Sequence, residues 1–245
     1  EHFPSYLRTI PSVMGFVQGR DPSLMHRLCS PGFVPQGSRF QSLDQFERLV
    51  PDGLDRAFGV LGLRDRARYI ASLYIDDLSD VIRDGIDPRF ALSRYAEQLA
   101  ASASASGFGP LLASLETEPT LIDRTLDELT RTLMKQHEPD VVGITIPFPG
   151  TVYGAFRIAR VIKQNWPQVQ TVLGGGYVNT ELRYLEDPRV CDFADFLTLD
   201  DGETPLLCIL EKFSDASKGL IRTFVRKNNC VVLCNDPMSK DVGFS

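Results

Sequence analysis

The spacing of apolar residues divides the chain into a helical first part and a part in which short strands and helices alternate. Over residues 1–136, apolar positions recur at three- and four-residue intervals and are interrupted by Pro and Gly. The clearest cases are residues 63–86 and 121–137, where this spacing predicts amphipathic helices. Pro139 enforces the end of the second helix. We therefore expect residues 1–136 to form a helical N-terminal region.

At Asp140 the periodicity changes. Short apolar runs rich in β-branched residues now alternate with amphipathic stretches, a succession that predicts parallel strands joined by crossover helices. The segments of this succession, strands and helices in turn, are residues 140–147, 154–166, 170–175, 192–201 and 203–213. We therefore expect an α/β domain with a parallel sheet over residues 137–217.

The last part of the chain has a different pattern. Residues 221–234 hold two short extended segments around Lys227-Asn228-Asn229, and asparagines tolerate the left-handed backbone of a tight turn. We expect a β-hairpin appended to the α/β domain, so that residues 218–245 form a hairpin and a linker toward a further domain.

Composition and charge narrow the classes of function. With 43% hydrophobic and 24% charged residues, the chain of 245 residues can bury a substantial core. The net charge of -6 leaves no basic stripe, which argues against nucleic acid and anionic membranes as partners. There is no apolar run of ~18 residues and no signal-peptide pattern, and the five cysteines are an odd number. We expect a cytoplasmic protein with reduced thiols.

Candidate chemistry lies in the loops that follow the predicted strands, because an open parallel sheet binds ligands beyond the carboxyl ends of its strands. These loops are residues 147–153, 174–180 and 200–204. The glycines 174–176 lack Cβ, so they either let a flat ligand approach the backbone or form a tight strand-to-helix turn. The residues alone leave both interpretations open.

Known catalytic and nucleotide motifs are missing. The sequence has no G-x-G-x-x-G, no G-x-x-x-x-G-K-[ST] and no G-x-S-x-G. Asp200, Asp201 and Glu203 are either a hard-metal cluster or acidic residues that complement a helix terminus, the commoner case. The histidines are isolated and show no metal-ligand spacing. We predict binding rather than catalysis, with no catalytic residue and no protein-bound metal.

The pair Cys230 and Cys234 has the C-x-x-x-C spacing of an iron–sulfur motif. The third cysteine of that motif would stand at position 237, which is a proline. Because alternate residues of a strand point to one side, Cys230 and Cys234 are better explained as two thiols on one face of the hairpin.

Three segments together resemble a known family. DVVGITIPFPGTVYGAFRIARVIK, TVLGGGYVNTELR and DFLTLDDGETPLLCILE, in this order and spacing, are similar to the cobalamin (B12)-binding domain at the N-terminus of many radical S-adenosylmethionine (radical SAM) enzymes. The resemblance covers under a third of the chain. It implies a flavodoxin-like (Rossmann-like) doubly wound sheet with helices on both faces, and a corrin ring lying over the carboxyl ends of the strands.

The resemblance also implies which residues contact the corrinoid. Thr145 and Pro147 would lie near the lower face of the ring, Gly174 and Gly175 would let the nucleotide tail pass, and Asp201-Gly202-Glu203 would open the final helix. The complete set of implied cofactor-binding residues is Thr145, Pro147, Pro149, Gly150, Tyr153, Gly174, Gly175, Gly176, Tyr177, Asp201, Gly202 and Glu203.

Two motifs of related enzymes are absent, and their absence shapes the hypothesis. Without D-x-H-x-x-G, the resemblance implies cobalamin bound with no histidine ligand. Without C-x-x-x-C-x-x-C, the 4Fe–4S cluster and S-adenosylmethionine would belong to a downstream catalytic domain, the expected partner of this one. The early strand and helix of such domains are not evident before Asp140, and we expect them before Glu1.

Two other hypotheses remain. The chain could be a degenerate Rossmann-like module that binds no cofactor and serves in protein interaction or as a scaffold. A small hydrolase or transferase that uses Asp201 and Glu203 is a third hypothesis, which the lack of a neighbouring nucleophile or base disfavours.

Overall fold

The computed structural model describes residues 3–43, 45, 62–90, 92, 108–184 and 186–235. The chain divides into two compact units, Glu1–Leu92 and Ser93–Ser245. None of the helices in these described ranges is both long enough and apolar enough to cross a membrane.

The first unit is helical, as predicted. It contains α1 (Phe3–Val17), α2 (Met25–Leu28) and α3 (Gly62–Gly85), with 3-10 turns at Pro22–Leu24 and Ser38–Phe40. Its core includes the fully buried Val13, Phe40 and Tyr74. The buried Asp77 carboxylate accepts hydrogen bonds from the backbone N–H groups of Gly37 (2.7 Å) and Arg39 (3.0 Å), and so fixes the preceding loop to α3.

The second unit contains the predicted succession of strands and helices. Its elements are α4 (Gly109–Glu116), α5 (Leu121–His137), β1 (Val141–Thr145), α6 (Val152–Asn165), β2 (Gln170–Gly174), α7 (Gly176–Glu181), β3 (Phe196–Thr198), α8 (Glu203–Ser214), β4 (Thr223–Lys227) and β5 (Cys230–Cys234). The α/β class predicted from the sequence is confirmed.

The five strands form one sheet in the order β1-β2-β3-β4-β5. The first three strands are parallel, while β4 and β5 run antiparallel to their neighbours. The predicted hairpin is confirmed, and Asn228 (φ 50°) and Asn229 (φ 61°) form its turn. The hairpin is not merely appended, since Phe224 of β4 pairs with Leu197 of β3 and extends the central sheet.

Helices cover both faces of the sheet. On one face, α4, α6 and α7 pack over a cluster that includes Phe156, Leu173 and Leu197. On the other face, α8 packs through Ile209 against residues that include Val172. Adjacent residues of a strand thus pack into cores on opposite faces of the sheet. This explains why the strands are continuous apolar runs in the sequence.

Helices α4 and α5 belong to the second unit, although they were grouped with the N-terminal region in the sequence-based division at residue 136. The ring of Phe108, next to α4, lies 5.2 Å from that of Phe156 in α6, and α5 runs along α6. Helical periodicity shows that a helix has an apolar side but not which domain receives it, so the sequence alone could not place these two helices.

Helix α5 buries a different face from the one that its apolar pattern indicates. Asp123, Thr130 and Met134 are buried, whereas Leu129 and Leu133 are 56% and 54% exposed. The predicted helix is confirmed, but its polar side meets α6. The reason is a network of buried charges between the two helices.

Candidate functional site

The loops after β1 and β2 are hydrogen-bonded to each other at the carboxyl edge of the sheet. Thr145 pairs with Gly174 in the strand register, and the Ile146 N–H donates to the Gly174 carbonyl at 2.7 Å. The Tyr177 N–H then donates to the Ile146 carbonyl at 3.0 Å. The chain leaving β1 therefore passes directly across the end of β2.

The three glycines are required by this close passage. Gly175 has a φ of 104°, and a Cβ there would lie 2.8 Å from the Ile146 carbonyl oxygen. A Cβ at Gly176 would lie 2.8 Å from the Pro147 carbonyl oxygen, and one at Gly174 would lie 2.7 Å from Oγ1 of Thr198. Because the chain itself fills the space beside each glycine, the two loops close into a continuous surface.

The loop after β3 joins the same surface. The Asn179 side chain donates from Nδ2 to the Asp200 carbonyl at 2.8 Å and accepts from the Asp200 N–H at 2.5 Å. Asp200 has a left-handed backbone (φ 61°), which turns its peptide toward α7. We call the joined loops, residues 146–150, 174–180 and 199–203, the strand-end floor.

The outer side of the strand-end floor is partly apolar. Pro147, Gly176 and Thr180 are exposed, and the Phe148 ring is 42% exposed. Pro149 and Gly150, in the 3-10 turn that follows, are half-buried. Thr145 is exposed at the end of β1. The structure thus places these residues at the carboxyl edge of the sheet.

The acidic residues of the floor are paired with arginines. Oδ1 of Asp200 lies 3.0 Å from Nη1 of Arg183, and Oδ1 of Asp201 lies 3.3 Å from Nη2 of Arg222. Within the described ranges, no three His, Cys, Asp or Glu residues are placed to hold a metal ion. The structure thus gives these carboxylates cationic side-chain partners.

Gly202 and Glu203 open α8. Gly202 has the left-handed backbone of a cap (φ 78°), and the exposed Glu203 occupies the first turn, where a negative charge complements the helix dipole. Of the two interpretations of the acidic residues, a metal cluster or the complement of a helix terminus, this arrangement agrees with the second.

Tyr153 and Tyr177 point into the protein rather than onto the floor. Tyr177 is buried in the core beneath α7, and burial raises its pKa to about 12. The Tyr153 hydroxyl donates to Oδ1 of Asp123 at 3.0 Å and accepts from Nη1 of Arg157 at 3.2 Å. Their side chains therefore serve packing and hydrogen bonding inside the second unit.

The hydroxyl of Tyr153 belongs to a buried network that joins α5 to α6. Nε and Nη2 of Arg157 each donate to the Asp127 carboxylate at 2.8 Å, and the Arg157 side chain is 5% exposed. Asp123 also completes a capping box with Thr120 at the start of α5. This network was not predicted from the sequence, although Asp123/Asp127 and Tyr153/Arg157 each have the four-residue spacing that places side chains on one helix face.

The Asp123 carboxylate gives the network a pH dependence. Burial acts to raise its pKa, but the hydrogen bonds from Thr120 and Tyr153 and the charge of Arg157 outweigh burial and lower the pKa below the ordinary 3.8. The unfolded chain therefore binds this proton first as the pH falls. The stabilisation is complete above the ordinary value and is lost as the pH drops through the lowered one.

We expect Asp123→Asn to reduce the loss of stability at acid pH. Urea denaturation near neutral pH and again below pH ~4 should show a smaller decrease in the free energy of unfolding for Asp123→Asn than for the wild type. Glu128→Gln removes an exposed carboxylate from the same helix and should keep the wild-type decrease. Equal decreases in Asp123→Asn and the wild type would contradict the assignment.

The cysteines of the second unit and His137 lie outside the strand-end floor. None of the five cysteines, which all lie in the described ranges, forms a disulfide bond, and Cys230 is exposed and Cys234 half-buried at the two ends of β5. His26 belongs to the first unit, and His137 ends α5 just before the start of β1, at the opposite edge of the sheet.

Comparisons of the chain with models of known families, with curated proteins and with solved structures give no significant match. The assignment of a function therefore depends on the resemblance of the three segments and on the geometry of the floor that they form.

Proposed function

We propose that the second unit holds a corrinoid against the strand-end floor, as the cobalamin-binding part of a radical SAM enzyme whose catalytic centre lies in another domain. The observation that carries the proposal is the floor itself. Three neighbouring parallel strands end in loops that are bonded into one surface, and residues 174–176 project no side chain from it. A flat macrocycle needs such a surface, and open parallel sheets bind ligands at this edge.

The flavodoxin-like topology is part of the same proposal. The described parallel strands follow one another in the order β1-β2-β3. One half of a doubly wound sheet has this consecutive order, and the reversal comes only where a second half begins on the far side of the first strand. An early strand beside β1 would complete the arrangement that the resemblance implies.

The exposed residues of the floor suit particular parts of a corrinoid. Pro147 and Phe148 offer an apolar contact for the ring, while Thr180 and Glu203 offer polar groups for the amides at its rim. The nucleotide tail would run outside the glycines, since the space on their Cβ side is filled by the chain. When bound, the corrinoid supplies the cobalt chemistry, and these residues hold and orient it.

Equilibrium dialysis with hydroxocobalamin, read by its visible spectrum, tests this proposal. We expect the wild type to retain the corrinoid and Thr180→Trp, which adds bulk on the exposed side of the floor, to bind at least about tenfold more weakly. Gln168→Trp adds the same bulk at an exposed position near the opposite edge and should bind like the wild type. A folded wild-type protein that retains no corrinoid would overturn the proposal.

A second candidate is a Rossmann-like interaction or scaffold module without a cofactor. Two observations favour it. The chain itself fills the space beside the glycines, and the side chains of Tyr153 and Tyr177 point inward. A folded wild-type protein without corrinoid affinity is the outcome that this candidate predicts.

A further inference from the structure

The hairpin and the end of α8 border a cavity of about 550 Å³. It lies on the face of the sheet that α8 covers, because Val225 packs in one cluster with Ile209 of that helix. None of its described lining residues belongs to the strand-end floor. The volume is within the ~300–1,000 Å³ that is typical of small-molecule sites.

One wall of the cavity is an apolar row that crosses three strands. Val225 of β4 pairs with Val232 of β5, and the antiparallel pairing of β3 with β4, continued by one residue, places Phe196 opposite Val225. All three residues line the cavity, together with the buried Leu220. Val232 is only half-buried. This wall can therefore pack against the apolar part of a ligand.

The charged residues that line the cavity are all lysines. They are Lys212, Lys218 and Lys227, and the described lining contains no Asp or Glu. Glu211 and Asp215 are close in sequence but do not line the cavity, and the Asp215 carboxylate is hydrogen-bonded within its own turn. Three cations without a carboxylate in the lining favour an anionic ligand.

The ammonium group of Lys212 is held in place by the loop that follows α8. Its Nζ donates to the carbonyl groups of Ala216 and Lys218, both at 3.0 Å. An ammonium group has three N–H bonds, so one remains for an acceptor on a ligand. Because the two carbonyl groups already fix this side chain, a ligand does not have to order it. Lys212 is thus a preorganised cation beside the apolar wall.

We propose that the cavity binds a small amphipathic carboxylate, whose head group accepts from Lys212 and whose aliphatic body packs on Phe196, Val225 and Val232. A carboxylate suits the lining better than a phosphate does. Phosphates are commonly held by arginines or by the N-terminus of a helix. The described lining contains no arginine, and α8 contributes Lys212 from its last turn.

The proposal does not depend on corrinoid binding, so the two can fail separately. The cavity and the strand-end floor share no described residue. A carboxylate is therefore expected to bind whether or not the protein retains hydroxocobalamin.

Methyl NMR titration of the whole chain with decanoate tests the proposal. We expect saturable shifts at the methyl groups of Leu220, Val225 and Val232, with a dissociation constant of ~3 mM or tighter. Decyltrimethylammonium has the same chain and the opposite charge, and should bind at these methyl groups at least about tenfold more weakly. Equal affinity for the two compounds, or no saturation by about 30 mM decanoate, would overturn the proposal.

Substitution of the lysines tests the position of the head group. Lys212→Gln removes the fixed charge and should weaken decanoate binding at least about tenfold, the usual size of a charged hydrogen bond. Lys135→Gln is the matched control, since it removes an exposed lysine near the end of α5, and should bind like the wild type.

A second variant is needed because Lys212 also holds the loop. Lys227→Glu reverses the charge of an exposed side chain and should weaken binding at least about threefold. Circular dichroism shows whether each variant is folded. Wild-type affinity in Lys227→Glu, or in a folded Lys212→Gln, would overturn the proposal, because the head group would then lie elsewhere.

Discussion

Replacing Gly175 with alanine should lower the free energy of unfolding of the second unit by about 2–5 kcal/mol, the combined range for a strained backbone and an overpacked site. Gly175 combines a φ of 104° with a ψ of -179°, a region that is essentially restricted to glycine. The added Cβ would also lie 2.8 Å from the Ile146 carbonyl oxygen and within 3.0 Å of its neighbours in the backbone, which cannot rotate away. Urea denaturation measures the loss.

Gly143→Ala is the matched control. Gly143 lies in β1, and a Cβ there meets no atom within 4 Å. We expect its free energy of unfolding to stay within about 1 kcal/mol of the wild type. Equal stability of the two alanine variants would contradict the close approach of the β1 loop to Gly175. It would also contradict the continuous surface of the strand-end floor.

Replacing Arg157 with methionine should lower the free energy of unfolding by about 3–5 kcal/mol, the usual cost of removing one partner from a buried ion pair. Methionine keeps the apolar stem but leaves the Asp127 carboxylate without its two 2.8 Å donors. The Tyr153 hydroxyl also loses its guanidinium donor. Urea denaturation near neutral pH measures the change.

Arg124→Met controls for the removal of an arginine as such. Arg124 is exposed on α5, and we expect a change within about 0.5 kcal/mol. Combining Arg157→Met with Asp127→Leu should cost less than the sum of the two single changes, because no isolated charge then remains at the Asp127 position. Strict additivity would show that the two side chains do not act as a pair.

The network and the floor are connected through the start of α6. Tyr153 and Arg157 lie in the first turns of the helix that begins directly after the Pro149–Thr151 turn. Holding these turns against α5 fixes where the loop from β1 leaves the sheet. The buried charges therefore help to fix the position of residues 146–150 of the strand-end floor. Their removal should affect this loop as well as the α5–α6 contact.

Much of the secondary structure could be predicted because its signals are local. The apolar spacing of residues 63–86 and 121–137, the β-branched runs and the paired asparagines of the hairpin each act within a few residues, and the structure contains the corresponding elements. The face that α5 buries could not be predicted in this way. It depends on Arg157, which follows the facing carboxylate of Asp127 by thirty residues and meets it only in the folded unit.

The candidate site was predictable in position but not in detail. Parallel strands place their carboxyl ends at one edge, so the three loops had to meet there. Why the chain needs glycine at 174–176 depends on the approach of Ile146, Pro147 and Thr198, which come from neighbouring strands and loops. For the same reason, the sequence alone could not show that Tyr153 and Tyr177 would point inward.

Backbone hydrogen–deuterium exchange with and without hydroxocobalamin tests the central claim most directly, because it locates any binding on the chain. The proposal predicts slower exchange confined to peptides that cover the strand-end floor, residues 146–150, 174–180 and 199–203. Exchange that is unchanged at saturating hydroxocobalamin, or slowed instead around residues 166–170 at the opposite edge, would contradict it.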